Sequence, residues 1–288
     1  MPSASCNGID IEYEITGSGE PLLLVMGLGG QLSEWPPDFI EQLAGNGFQV
    51  IRPDNRDSGL STAFEWEPPS QVKSVLGALA GRPPKAGYHI SDMASDLAGL
   101  LDALSIDSVH VVGMSMGGMI AQQLTIDHPS RVRSLTSIMS NTGARDTGQP
   151  SKKLLAKLSR LPLPTRETAA DHTIALFTEF AGPHYDPMEH RKILEPSVAR
   201  SWRPEGTARQ TAAIMASPDR APRLGSVKVP TLVVHGLVDP LVRPSGGIAT
   251  AMAIPHSRLV MFPDMGHDLP RPRWDEMIAE IAANAAAS

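Results

Sequence analysis

The chain has 288 residues, 41% of them hydrophobic and 19% charged, enough for one large α/β domain carrying an insertion. Its 25 basic and 31 acidic residues leave a formal charge of −6, which gives nucleic acid or an anionic membrane surface no electrostatic hold. The single cysteine, Cys6, excludes an intrachain disulfide and argues against a cysteine metal cluster.

Residues 1–14 have neither a basic start nor an apolar stretch of signal-peptide length, and the strongest apolar run, 22–26, is too short to span a bilayer. A cytoplasmic protein is therefore the expectation. Asn7-Gly8 precedes the alternating stretch Ile9-Asp10-Ile11-Glu12-Tyr13, a pairing that suits a tight β-hairpin. Near-continuous apolar runs follow at 21–26, 48–51, 109–113, 135–139, 231–234 and 258–262. Apolar on both faces, they fit strands of a parallel sheet covered by helices. Helical patterns at 38–45, 91–104, 116–127 and 274–287 alternate with them, which predicts a doubly wound α/β sheet.

Two stretches break this rhythm. Residues 65–87, rich in Pro and Gly, predict a long loop. Residues 144–225 carry scattered charge, many prolines and short helical patterns at 152–158, 168–180 and 189–194, without a convincing buried strand. The expectation is a core built from 1–143 and 226–288, with 144–225 inserted as a helical cap over the strand ends.

Gly113-Met114-Ser115-Met116-Gly117 matches G-x-S-x-G. The pattern is short, but its context adds weight: Val109-His110-Val111-Val112 before it predicts a buried strand, and Gly118-Met119-Ile120-Ala121 after it opens a helix. A strand–turn–helix of this kind is the setting of a nucleophile elbow, where a Cβ on either flank would strike neighbouring backbone. A Gly-rich turn with an incidental serine is the plain alternative.

With the elbow, the strand order and the insertion in view, the chain resembles the α/β-hydrolase superfamily over nearly its whole length. Asp54-Asn55-Arg56-Asp57-Ser58-Gly59-Leu60-Ser61 resembles the family's D-x-R-G-x-G-x-S segment, with Asp57 where Gly is usual. That variant, together with Val25-Met26-Gly27 and Trp35-Pro36, resembles the aclacinomycin methylesterase group. The resemblance implies a mostly parallel eight-stranded sheet, and site residues in the chain order serine, acid, histidine.

A serine hydroxyl needs a base, and the base needs an orienting group. Nine histidines compete. His267, just past the last apolar run and after the small Gly266, matches the family's catalytic histidine. His110 lies inside a strand and His128 at a helix end, both structural positions; His172, His184 and His190 fall in the insertion; His89, His235 and His256 have no supporting motif. Asp239, at the end of the run 231–234, is the candidate acid, and Asp264 and Asp268, flanking His267, read as loop-stabilising or surface groups. An oxyanion would take the N–H of Met116 at the helix start. By resemblance it would take a second from Leu28 in Gly27-Leu28-Gly29-Gly30, where Met26-Gly27 replaces the family's frequent His-Gly and one polar anchor is missing. A plain Gly-rich turn is the alternative for that loop.

Met26, Gly27, Trp35, Met114 and Met265 lie beside the expected chemistry and are the candidate substrate-binding residues; adaptable methionines suit an apolar or aromatic substrate. Core packing explains each side chain equally well. Leu161, Pro162, Leu163, Pro164, Phe177, Phe180 and Trp202 are candidates to line a cap. The leading reading is hydrolysis of a carboxylic ester of a small apolar or aromatic molecule through an acyl-enzyme, with no metal and no cofactor. The same triad could serve a thioesterase, a lactonase, a C–C hydrolase or a perhydrolase, and the fold could also carry a non-catalytic small-ligand receptor. Haloalkane dehalogenases and epoxide hydrolases are disfavoured, because they carry aspartate where this chain has Ser115.

Overall fold

Asn7 and Gly8 both adopt positive φ, 50° and 78°, and close the hairpin between strands β1 (Ser3–Cys6) and β2 (Ile9–Thr16) in the register Cys6↔Ile9. The structure, a computed structural model, describes residues 2–69, 82 and 84–288. The loop expected at 65–87 lies largely outside the described residues.

Strands β3 (Glu20–Val25), β4 (Phe48–Pro53), β5 (Val109–Met114), β6 (Val132–Ile138), β7 (Thr231–Gly236) and β8 (Arg258–Phe262) complete one eight-stranded sheet in the order β1-β2-β4-β3-β5-β6-β7-β8. The pairs β1–β2 and β2–β4 are antiparallel and the other five are parallel. Alternation along β3 shows how the layers form. Leu23 and Val25 face a core shared with α2 (Ile90–Ala103) and α3 (Met116–Asp127). Leu22, Leu24 and Met26 face a second core shared with α1 (Pro37–Gly45) and α10 (Trp274–Ala286). Helices on both faces follow from strands that are apolar on both faces.

Between β6 and β7 run α4 (Lys152–Leu158), α5 (Ala169–Phe180), α6 (Pro187–Arg200), α7 (Pro204–Ala216) and α8 (Ala221–Leu224), with no strand among them; α9 (Ser245–Ala253) lies between β7 and β8. The helical pattern read at 189–194 is the middle of the longer α6. That helix starts where the Asp186 carboxylate accepts from Met188 N and Glu189 N at 2.9 and 3.2 Å, and it continues through Pro196 to Arg200. Sequence periodicity missed α7 entirely, because its buried positions include Gly206, Arg209 and Gln210 rather than an apolar stripe.

Buried polar bonds fix α6, α7 and the turn between them to the loops after β3 and β4. Arg209 meets Asp57 at 3.0 Å, Arg200 meets Asp54 at 2.8 Å, and Gln31 Nε2 donates to the carbonyls of Ser197 and Ser201 at 2.8 Å each. Among the described residues, no helix is long and apolar enough to cross a membrane.

Candidate active site

β5 runs straight into α3, and the chain must turn sharply at Ser115 between them. Ser115 takes φ 55° and ψ −118°, a conformation costing a non-glycine residue about 1–3 kcal/mol. Its neighbours hold it there. Ser115 N donates to Ile138 O at 2.9 Å, and its carbonyl accepts from Ser140 Oγ at 2.7 Å and from Gly118 N at 3.0 Å. The flanking glycines leave room for this crossing: a Cβ on Gly113 would run into the Gly117 carbonyl, and one on Gly117 into the Val25 carbonyl.

β7 ends at Gly236, and the following turn brings Asp239 beneath the sheet's C-terminal edge. Asp239 is 2% exposed. Its Oδ1 accepts from Leu241 N at 2.8 Å and Val242 N at 2.9 Å, which leaves Oδ2 aimed at His267 Nδ1, 2.7 Å away. An ionised carboxylate only accepts, so Nδ1 carries the imidazole proton and the Nε2 lone pair faces Ser115 Oγ at 2.9 Å. Hydroxyl, imidazole and carboxylate thus form one line, along which a proton can leave Oγ while the resulting imidazolium stays paired.

The His267 loop is braced from the end of α5. His267 N donates to Phe180 O at 2.8 Å at the end of α5, and the Phe180 ring stands edge-on to the imidazole with centroids 5.7 Å apart. Asp268 Oδ1 accepts from both Gly182 N (2.9 Å) and Gly266 N (3.0 Å), and burial pushes its carboxyl pKa up. A Cβ on Gly266 would strike Ala181 and Gly182 backbone, so glycine is required for this close approach. Asp264 binds Arg273 and His184, and those hydrogen bonds, Arg273's first, hold its pKa down at about 2. Both flanking carboxylates support the loop.

The other histidines have different partners. His110 is buried in β5, 2.9 Å from Ser134 Oγ. His190 accepts from or donates to Tyr185 Oη at 2.8 Å, and burial lowers its pKa to about 4. His235, without a motif in the sequence, lies fully buried beside the acid: its Nε2 donates to Val242 O at 2.7 Å and sits 3.6 Å from Asp239 Oδ2. Burial lowers its pKa, consistent with a neutral ring. Nothing in the linear sequence marks His235 or the Phe180 carbonyl, because both act through the folded loop.

Met116 is the first residue of α3, so its N–H has no intrahelical acceptor. Gly27 lies against the serine: a Cβ there would stand 3.3 Å from Ser115 Cβ. The Leu28 side chain is exposed. Met26, Trp35 and Met265 are buried in the core shared with α1 and α10, where Trp35 stacks on Phe39, and Met114 packs against that core from a half-buried position. Of the insertion candidates, Phe180 reaches His267 and Leu163 points to solvent.

The family described as alpha/beta hydrolase fold matches residues 20–270. The chain belongs to this family. Two rhodomycin D methylesterases, from Streptomyces sp. (strain C5) and Streptomyces peucetius, are 28% and 27% identical to it, each match covering 100% of this chain and 99% of the relative. The methylesterase resemblance carried by the Arg56-Asp57-Ser58-Gly59 segment therefore extends along the whole α/β-hydrolase chain. The enol-lactonase from Burkholderia xenovorans LB400 has a TM-score of 0.76 at 25% identity, covering 99% of this chain and 100% of that one.

Proposed function

We propose that this α/β-hydrolase is a serine hydrolase that cleaves a carboxylic ester of a small apolar or aromatic molecule. The observation that carries the reading is the line Ser115 Oγ–His267 Nε2 at 2.9 Å and His267 Nδ1–Asp239 Oδ2 at 2.7 Å, on an elbow held in a strained conformation. Ser115 Oγ attacks the ester carbonyl carbon as its proton passes to His267 Nε2. The N–H groups of Met116 and Leu28 take the developing oxyanion. The tetrahedral species collapses, breaking the bond to the alcohol oxygen, and His267 returns the proton to that oxygen. Water then gives a proton to His267 and attacks the acyl carbon; the second collapse frees the acid and restores the Ser115 hydroxyl.

In this reading Gly27, which lies against Ser115, and the half-buried Met114 border the substrate, the buried Met26, Trp35 and Met265 support them from the core, and residues 144–225 are the cap. An aromatic group of the insertion supports a flat or apolar substrate: Phe177 lies 4.8 Å from Phe180 and 4.4 Å from His190, ring centre to ring centre, next to His267. The names of the two Streptomyces relatives favour a methyl ester, and the lactonase likeness favours a cyclic ester as the second reading; the proposed chemistry at Ser115 is the same for both.

The test is a panel of p-nitrophenyl esters of graded chain length, run beside aromatic methyl esters, lactones and thioesters, on wild type and Ser115→Ala. The proposal predicts Ser115-dependent turnover that is fastest on esters, with a burst of p-nitrophenol where deacylation is slow. Equal, near-background rates for both proteins on every compound would refute it in favour of a ligand receptor.

A further inference from the structure

An oxyanion donor in a loop is only as good as the loop's conformation, and residues 27–30 contain three glycines. Gly30 N donates to Gly27 O at 3.3 Å, and Gly29 has φ 71° whereas Leu28 is not among the positive-φ residues. This is a type II turn, with glycine at the position that needs positive φ. A trans peptide points its C=O and N–H in opposite directions. With the Gly27 carbonyl turned towards Gly30, the Leu28 N–H points to the other side of the turn. The weak point is the peptide joining Leu28 to Gly29, whose rotation interconverts type II and type I turns at little cost when glycine is present.

Three side chains restrain the loop, in a chain that lacks the family's frequent polar residue at position 26. Asn55 Nδ2 donates to Met26 O at 3.0 Å, and Ser58 Oγ donates to Gly30 O at 2.6 Å. Both lie in the segment after β4 and hold the two ends of the loop. The third holds its middle. Gln210 Oε1, on α7 of the insertion, accepts from Gly29 N at 2.8 Å, while Gln210 Nε2 donates to Arg56 O at 2.8 Å. Gln210 is 0% exposed, with both ends of its amide engaged, so its orientation is fixed. One turn earlier on α7, Thr207 packs over Gly29; a Cβ on Gly29 would lie 2.7 Å from Thr207 Oγ1.

We infer that Gln210 is a positioning residue of the esterase site: by holding the Gly29 N–H it locks the Leu28–Gly29 peptide, and with it the turn that presents the Leu28 N–H on the side opposite the Gly27 carbonyl. The inference rests on the proposed ester hydrolysis. It gives the insertion a second task, because α7 sets the oxyanion loop while the end of α5 sets the His267 loop. It also takes the Gly29 N–H out of contention as an oxyanion donor, since that hydrogen is already bound.

Gln210→Met keeps the length and removes both the acceptor for Gly29 N–H and the donor to Arg56 O; Gln210→Glu keeps the acceptor and, protonated as burial at this site favours, a donor to Arg56 O. Gly29→Ala attacks the same contact from the loop side and serves if Gln210→Met does not fold. For Gln210→Met and Gly29→Ala the inference predicts a kcat reduced about tenfold or more, below the roughly 10²–10³-fold cost of deleting an oxyanion donor outright, with KM within about threefold of wild type. The affinity for a boronic-acid adduct of the serine should fall by the same factor as kcat, and Gln210→Glu should recover most of both. If Gln210→Met or Gly29→Ala is folded and keeps kcat and boronate affinity within about twofold, or raises KM alone, the inference is overturned. Ser115→Ala run beside them separates the two failures: if it is as active as wild type, the serine-esterase reading falls first.

Discussion

At the scale of single residues, two strained positions carry different meanings. Ser115 holds φ 55° at the crossing of β5 and α3, with its hydroxyl 2.9 Å from His267 Nε2. Asp239 is the proposed orienting acid, and Asp239→Asn puts a group that can donate where only an acceptor suits His267 Nδ1. The expected outcome is a loss of about 10³–10⁴-fold in kcat on a p-nitrophenyl ester with an unchanged melting temperature. Asp57 holds φ 66° where the family usually has glycine. Relieving that strain with Asp57→Gly would return roughly 1 kcal/mol. The same change strips the buried Arg209 of its carboxylate, contacted at 3.0 Å, and Tyr88 Oη of its acceptor at 2.7 Å. Breaking a buried pair costs about 3–5 kcal/mol, so the pair wins. Asp57→Gly is predicted to destabilise by about 2–4 kcal/mol in urea unfolding despite restoring the family's usual residue.

At the scale of elements, the legible parts of the sequence were those with one physical signal each. Runs apolar on both faces gave the six parallel strands, and the elbow's glycines gave the crossing at Ser115. Asn7-Gly8 gave the hairpin. Helix α7 had no such signal, since it buries an arginine and a glutamine whose partners lie about 150 residues away, on the loop after β4. His235 and the bracing of His267 by Phe180 O are equally invisible along the chain, because a backbone carbonyl has no sequence signature. The elbow itself tolerates little: Gly117→Ala places a methyl against the Val25 carbonyl, and the turn must open to admit it. A displacement of about 1 Å at a reacting group costs on the order of 10²-fold. Gly117→Ala should therefore lose at least about 10²-fold in kcat/KM, whereas near wild-type kinetics would mean the crossing is looser than the packing indicates.

At the scale of the whole molecule, buried and half-buried histidines couple folding to pH. Burial lowers the pKa of His110, His190 and His235 from the ordinary 6.5, that of His190 to about 4. A histidine whose folded pKa lies below its unfolded value favours folding fully above about pH 6.5, and that share is lost as pH falls towards the folded value. Glu34 acts in the opposite sense: burial raises its carboxyl pKa to about 7, so its share is lost as pH rises from about 4.5 to 7. Comparing variants isolates each group. His190→Gln should flatten the fall in melting temperature between about pH 6.5 and 4, and an unaltered slope would count against a neutral His190. The central claim, that Ser115 is a nucleophile activated through His267 and Asp239, is tested most directly by labelling the folded protein with a fluorophosphonate and mapping the adduct by mass spectrometry. The predicted result is a single adduct on Ser115, absent from Ser115→Ala and formed at least about 10²-fold more slowly in His267→Gln; no adduct on Ser115 in the folded wild type, or one on another residue, would contradict it.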